Sequence, residues 1–451
     1  MNPHSVHFTR RVGTPRWLPG VLLAVLLTAS GAKAQSRAPS GTPRATPTMD
    51  PAALDLASAL ATARRSGPLA ALVSARRDVA VGRVRETAQW PNPTLEWRRE
   101  NLASPLAPDI FATAYIPLDI TGRRLALRQS VGAGTLRATA DAEAERRNAE
   151  IEVARAWLRA AVADGLRALV QRQYDALREI ADVDAQRLRE GLVAEAVGLR
   201  TSLEADRARV AVVSANAEAS RARAELARLM GVRDDSISTL APLIAPTLPA
   251  PPDSLLVRRA ALRLRPEVQA RDAAVQETQR RLAAERRGLF GDLQLQGGTK
   301  QTGGFQTGQI GFGMPMPFFN RNGGARQRAG GEAMEARILR ADVERAVSGA
   351  VSAAWRTYMD VRAVARDAAT FDARGREVSR IARVAYREGH VTLTELLDAE
   401  RAAFDAMQAH LRWAADAWLA RLELERAIGA RLDADAPLDL PLLSTATAPG
   451  F

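Results

Sequence analysis

Glu395 and Asp398 are the residues best placed to do chemistry in this chain. They lie in Tyr386-Arg-Glu-Gly389-His-Val-Thr-Leu-Thr-Glu395-Leu-Leu-Asp398-Ala-Glu-Arg401, one helical turn apart, so a helix there presents both carboxylates on one face. Repeated around an aqueous axis, such a pair makes stacked acidic rings, a device for selecting cations. The same residues also carry a structural meaning. Thr392-Leu-Thr-Glu395 has capping-box spacing, and acids in a first turn suit the positive end of a helix dipole. The two roles are compatible. His390 could serve as a metal ligand or pH sensor, but beyond residue 34 only His410 accompanies it, and an ordinary turn residue is the expectation. The chain has no Cys, which excludes disulfides and thiolate metal sites. No Ser/His/Asp set and no HExxH is present, and Gly297-Gly298 and Gly303-Gly304 lack the Lys and Ser/Thr spacing of a phosphate loop. No catalytic, cofactor or metal constellation is expected, and the chain reads as a non-enzyme.

The acidic pair follows a turn that occurs twice. Arg187-Leu-Arg-Glu-Gly191-Leu-Val-Ala-Glu195 is its earlier counterpart. Each Gly interrupts a long Ala/Arg/Glu/Leu-rich stretch free of Pro, and each following stretch ends on another Gly, at Gly231 and Gly429. The offset is 198 residues in both cases (389 − 191 and 429 − 231). An internal repeat of that length duplicates a whole structural unit. Each unit contains a helical hairpin with Gly at its tip, where a tight reversal needs left-handed backbone.

The elements that position these tips can be taken in order. Residues 1–34 carry Arg10, Arg11 and Arg16, an apolar run from Leu18 to Thr28, and Ala32-Lys-Ala34. That is the pattern of a signal peptide cut before Gln35, too short to serve as a membrane anchor. Export is expected, without a lipid anchor on an N-terminal Cys. Residues 35–53 are a Pro/Ser/Thr-rich lead-in. The first unit spans 54–231, a Pro-rich linker covers 232–253, the second unit spans 254–429, and 430–451 form a tail. Four of the +12 net charges fall in residues 1–34, and the basic residues are Arg except for Lys33 and Lys300. These arginines are interleaved with Glu and Asp along the helices, the pattern of a solvated helical face, so no nucleic-acid partner is expected.

Within each unit a helix leads into two strands. Leu69 to Trp90 is helical and stops at Pro91-Asn-Pro93; Thr94-Leu-Glu-Trp-Arg-Arg and Phe111 to Leu118 alternate as strands around a turn region containing Pro105 and Pro108. Gly122 to Glu190 then reads as one helix of ~100 Å, while the return, Leu192 to Met230, covers only ~58 Å. Leu69 to Trp90 supplies the shortfall if two shorter helices stack end to end beside the long one. In the second unit, Pro266 to Phe290 is helical, and Asp292-Leu-Gln-Leu-Gln296 and Gln309-Ile-Gly-Phe-Gly-Met314 are strands around a Gly/Thr turn at 297–304. A second long helix runs from Gly324 to Glu388. On the last helix Leu393, Leu397, Phe404, Leu411, Trp418 and Leu422 form a coiled-coil-like seam.

Four alternating strands are too few to close a barrel, and an open sheet leaves unpaired edges. One-sided strands in an exported chain fit a transmembrane β-barrel to which several protomers each contribute four strands; a soluble sheet is the alternative. The helices, with a narrow apolar seam and a broad charged remainder, suit a ring of hairpins around an aqueous lumen.

At this point the residues resemble a known family. The two helix–hairpin–helix units, the Pro91-Asn-Pro93 strand entry, the Pro117 and Pro317 strand-to-helix transitions and the twin Gly-tipped hairpins are similar to outer membrane factors of the TolC type, over Leu54 to Gly429. Pro315-Met-Pro-Phe-Phe-Asn-Arg-Asn-Gly-Gly324 and Pro117-Leu-Asp-Ile-Thr-Gly-Arg-Arg124 are most similar to outer components of cobalt–zinc–cadmium or copper cation efflux systems. The resemblance implies a mainly α fold with a β-barrel portion. Strands at about 94–118 and 292–317 would join a trimeric, twelve-stranded barrel in outer membrane lipid above an α-helical periplasmic tunnel. It implies a homotrimer working with a periplasmic adaptor and an inner membrane pump of the resistance–nodulation–division type. Adaptor contacts would fall on the tips, Arg189, Glu190, Gly191, Leu192 and Val193, and Arg387, Glu388, Gly389, His390, Val391 and Thr392. The channel constriction would fall on Glu395 and Asp398. In the first repeat Val197 stands where Glu395 would be, and the nearest acid is Glu195. The implied role is a passive efflux duct, serving cations or alternatively drug efflux or type I secretion. The reading from another class is a periplasmic coiled-coil adaptor or scaffold.

Overall fold

The structure is a computed structural model that describes residues 53–100, 108–233, 237 and 239–443. The expected signal peptide, nearly all of the lead-in, the β-turn residues 101–107 with Pro105, and the tail beyond residue 443 lie outside the described residues.

The first unit begins with α1 (Leu56–Ser66) and α2 (Pro68–Glu86), which meet at Gly67. Asp55 caps α1 by accepting from the Ser58 N–H at 2.8 Å, and Pro68 stands at the first position of α2, where a missing N–H costs nothing. Strands β1 (Thr94–Glu100) and β2 (Asp109–Leu118) follow, then α3 (Arg123–Arg189) and α4 (Glu195–Met230). Both α2 and α4 pack along α3, and they abut end to end. The Ser66 hydroxyl donates to the Met230 carbonyl at 3.3 Å, and a Cβ at Gly231 would overlap the Ser66 carbonyl. That seat, together with φ +69° at Gly231, admits only glycine.

The second unit repeats the order. Here α5 (Ser254–Leu264), α6 (Pro266–Arg287), β3 (Leu293–Thr302) and β4 (Phe305–Gly313) precede α7 (Gly323–Ala363), α8 (Ala365–Arg387) and α9 (Leu393–Ile428). The 198-residue offset recurs in the bounds of α1 and α5, in Pro68 and Pro266, and in a tertiary contact. The Trp157 indole donates to the Leu54 carbonyl at 3.1 Å and the Trp355 indole to the Pro252 carbonyl at 3.3 Å. The Pro-rich linker is held by further donors of this kind: Tyr358 to Pro249 O at 2.7 Å, Arg421 to Thr247 O at 2.8 Å and Trp418 to Ile244 O at 2.8 Å. A prolyl segment has few internal partners for its carbonyls, so side chains from the helices satisfy them.

The four strands form one antiparallel sheet in the order β1-β2-β3-β4. Its register sorts most side chains by face, with Arg99, Gln301 and Gln306 on the otherwise apolar side and Phe305 on the polar one. Leu95, Ala114, Gly297 and Ile310 share one row, and Trp97, Ala112, Thr299 and Gly308 the next; Ile116, Leu295 and Phe312 lie on the same face. The opposite face carries Glu96, Arg98, Tyr115, Gln296, Lys300 and Gln309, and its contacts are polar or cation–π. Tyr115 donates to Glu96 at 2.9 Å, Gln309 to Thr113 at 2.7 Å, and Arg98 and Lys300 both lie over the Phe111 ring. Apolar Leu95, Trp97, Ile310 and Phe312 are exposed. The outer edges of β1 and β4 have no partner strand among the described residues.

Several expectations are corrected. β3 runs through Gly297, Gly298 and Thr299 up to Thr302, and the turn is only Gly303-Gly304, both at positive φ. Gly298 belongs inside the strand because a Cβ there would overlap the Ala112 carbonyl of β2. β4 therefore starts at Phe305, four residues before the expected Gln309. The second long helix is broken at Val364, φ −92° and ψ 2°. α7 packs against α5, α6 and α9, whereas α8 beyond the break keeps only α9 among these partners. Helix α4 begins at Glu195, not Leu192, because the reversal consumes residues 191–194. α6 ends at Arg287, and α2 at Glu86. Along α9, Leu393, Leu397 and Leu422 are buried, whereas Phe404, Leu411 and Trp418 are half-buried. Among the described residues no helix is long and apolar enough to cross a membrane.

Candidate functional site

Both tips are built by the same backbone device. At the first, the Gly191 N–H donates to Leu188 O at 3.0 Å and the Leu192 N–H to Arg187 O at 2.8 Å; at the second, Gly389 donates to Tyr386 O at 3.1 Å and His390 to Ala385 O at 2.8 Å. This pair of bonds is the Schellman reversal. It requires left-handed backbone at the central residue, and φ is +75° at Gly191 and +78° at Gly389. No atom lies within 4 Å of a Cβ built at either glycine, so the demand for glycine is conformational and not steric. Arg189 and Arg387 close their helices, and Glu190 and Glu388 are the capping residues.

The tips differ in how the next helix starts. α4 begins from Ala194 with no side-chain cap. α9 begins from a complete capping box: the Glu395 N–H donates to Thr392 Oγ1 at 3.3 Å, and Glu395 Oε2 accepts from the Thr392 N–H at 2.7 Å and from its hydroxyl at 2.9 Å. The backbone N–H of Thr392, then its hydroxyl, hold the Glu395 carboxyl below the usual range. Within the protomer this carboxylate is therefore engaged at the helix start. Asp398 is more open. Its side chain is 68% exposed and meets Arg401 at 3.7 Å, which also reaches Glu204 at 3.7 Å. Arg200, the counterpart of Asp398 in the first repeat, donates to Thr394 Oγ1 at 3.2 Å. The second tip thus carries both carboxylates, and the first presents Val197 and Arg200.

The tips are also joined to each other. The Tyr386 hydroxyl donates to the fully buried Asp184 carboxylate, 3.0 and 2.8 Å from its two oxygens. Burial, then the Asp184 carboxylate, push the Tyr386 phenol well above its ordinary value, so it remains a donor. Arg187 lies 3.9 Å from Asp184, stacks over the Tyr386 ring and donates to Arg387 O at 2.8 Å. Arg387 pairs in turn with Glu179. Beside this link is a groove of about 430 Å³ lined by Leu192, Val193, Gly389 and Val391, among others. Sequence reasoning missed Asp184 and Tyr386. The available signal was a carboxylate falling in step with Leu177 and Ile180 on a buried helix face, where it demands a donor.

His390 is exposed in the reversal and lies 3.5 Å from Glu388, while His410, well along α9, bonds the Ala368 carbonyl of α8 at 2.9 Å. No group of three metal-ligating side chains occurs among the described residues.

No family model matches the sequence, and no curated protein matches it. Solved structures do. VceC, an outer membrane protein of Vibrio cholerae, aligns with TM-score 0.69 and 16% identity over 84% of this chain and 97% of its own. The CmeC outer membrane channel of Campylobacter jejuni gives 0.70 and 15% over 83% and 85%. The open state of the MtrE outer membrane channel of Neisseria gonorrhoeae gives 0.67 and 17% over 83% and 88%. At these identities the likeness is one of fold. Long helical hairpins joined to a small antiparallel sheet, twice over in one chain, are the fold that this protein shares with outer membrane channels.

Proposed function

We propose that the chain is one protomer of a homotrimeric exit duct in the outer membrane, a passive conduit that opens the periplasm to the exterior. The observation that carries this reading is the sheet. Four strands with a largely apolar face, a largely polar face and two edges unpartnered among the described residues cannot satisfy their backbone within one chain in lipid. Three copies joined edge to edge give twelve strands, with apolar side chains toward lipid and the Glu96, Arg98 and Lys300 face toward water. The hairpins would then line a tunnel below the barrel, and a pump and adaptor of the tripartite efflux type would engage the tips at Arg189 to Val193 and Arg387 to Thr392. Glu395 and Asp398 would set the constriction. Cations are the favoured cargo, on the similarity of residues 117–124 and 315–324 to cation efflux components. The test is fractionation of the full chain with outer membranes, heat-modifiable migration, and light scattering in mild detergent. A trimer is expected; a stable detergent-soluble monomer overturns the reading. Metal sensitivity of a deletion strain, restored by the intact gene, tests the cargo.

A further inference from the structure

The four junctions between sheet and helices expose large apolar side chains that have no role in the core. Phe319 is 103% exposed, Phe318 71%, Met316 56%, Trp90 52% and Ile120 58%. They stand directly beyond the ends of the strands, where Leu118, Leu293 and Phe312 end the apolar face. Around them the charge is one-sided. The junction segments 86–93, 119–128, 285–292 and 314–328 hold eight arginines against Glu86, Asp119, Glu285 and Asp292. Three of these four acids are already committed. Asp119 accepts from the backbone N–H groups that open α3, Glu285 pairs with Arg123 at 3.0 Å, and Asp292 pairs with Arg124. Arg286, Arg287, Arg321 and Arg326 are exposed and have no carboxylate partner among the described residues. Arg287 and Arg326 spend one N–H each on the carbonyls of Gly122 at 3.2 Å and Arg321 at 3.1 Å.

We propose that this collar binds anionic phospholipid of the periplasmic leaflet, with the aromatic and Met side chains in the interfacial region and the unpaired arginines on headgroup phosphates. The proposal rests on the reading of the sheet as membrane-inserted. Aromatic side chains belong at the edge of a bilayer, where one end meets lipid and the other water. Guanidinium groups match phosphate oxygens in a bidentate manner. A second copy of the same collar does not fit as the occupant, because it brings the same excess of positive charge. Anionic lipid supplies the complement. Such a collar would also fix the depth of the barrel in the bilayer.

The experiment titrates detergent-solubilised full-length trimers with cardiolipin, phosphatidylglycerol or phosphatidylcholine and counts retained lipid by native mass spectrometry. The native protein is expected to hold the two anionic lipids about tenfold more tightly than phosphatidylcholine at low ionic strength, with the preference shrinking in high salt. The triple variant Arg286→Gln, Arg321→Gln, Arg326→Gln should lose the preference while staying trimeric. Phe318→Ser with Phe319→Ser should weaken retention of all three lipids and keep the preference. Equal retention by the native protein, or a preference that survives the triple variant, overturns the proposal. A triple variant that no longer trimerises makes the collar a subunit contact, which overturns it too. Failure of the native chain to form heat-resistant trimers sinks the duct reading itself, and the collar with it.

Discussion

Tyr386→Phe removes one hydroxyl from an otherwise unchanged ring and tests how the two tips are held together. The two distances from the phenol oxygen to Asp184, 3.0 and 2.8 Å, describe one proton shared by a carboxylate, so one charge-assisted bond is lost. Such a bond contributes about 1.5–3 kcal/mol, and the larger share of the cost is the buried partner left behind. Asp184 is fully buried and, among the described residues, then keeps Arg187 at 3.9 Å. A loss of about 2 kcal/mol corresponds to about a thirtyfold more populated local opening. Amide hydrogen exchange reads this directly, because local opening is distinct from global unfolding. Amides in residues 180–200 and 380–395 should exchange about thirtyfold faster, while those of the buried cluster around Ala154, Trp157 and Ala160 should be unchanged. The double variant Asp184→Leu, Tyr386→Phe removes both polar partners and should recover most of the protection. Unchanged exchange at the tips in Tyr386→Phe, or a double variant worse than the single, would refute the reasoning.

Three further outcomes follow. Gly389→Val places a β-branched side chain at φ +78° with room around it, so it should strain the reversal by about 1–2 kcal/mol and abolish efflux while leaving membrane-inserted trimers; normal efflux by that variant would count against the tip as a docking site. Replacing Glu395 and Asp398 together with Ala should strongly weaken block of single-channel current by divalent cations added from the periplasmic side, whereas Glu195→Ala should not; persistent block in a well-formed double-variant trimer would move the constriction elsewhere. Because the Glu395 carboxyl is held below its ordinary range, its contribution to the start of α9 is complete at neutral pH and is lost as pH falls through the lowered value. Exchange at residues 392–398 should therefore rise on acidification, and Glu395→Gln, which keeps a capping-box residue, should flatten that dependence.

The start at Pro266 and the ends at Gly231 and Gly429 were legible, because those residues have few conformational choices, whereas the junction of α1 with α2 at Gly67-Pro68 and the separate α5 were not read. The strands were less so. Gly297-Gly298-Thr299 has the composition of a turn, and only the approach of the Ala112 carbonyl from a strand nearly two hundred residues away shows why glycine is needed in the middle of β3. The break at Val364 has no local marker, since no Gly or Pro lies between Val361 and Asp367. At the tips, Gly191, Gly389 and the Thr392–Glu395 box could be read directly. The Tyr386–Asp184 bond joins residues 202 positions apart, and no spacing rule connects them.

The unequal starts of α4 and α9 have a consequence for how a partner could count its sites. Three chains bearing two Gly-tipped hairpins each would present six reversals of one backbone geometry. A ligand reading only backbone shape would find six places to sit. One that touches side chains would find two kinds alternating: Ala194, Val197 and Arg200 at one, Thr392, Glu395 and Asp398 at the other. In such a trimer the repeated backbone would give a sixfold shape, and the differing side chains a threefold chemistry. Binding stoichiometry, three or six per duct, then reports whether a partner recognises the fold of the tip or its residues.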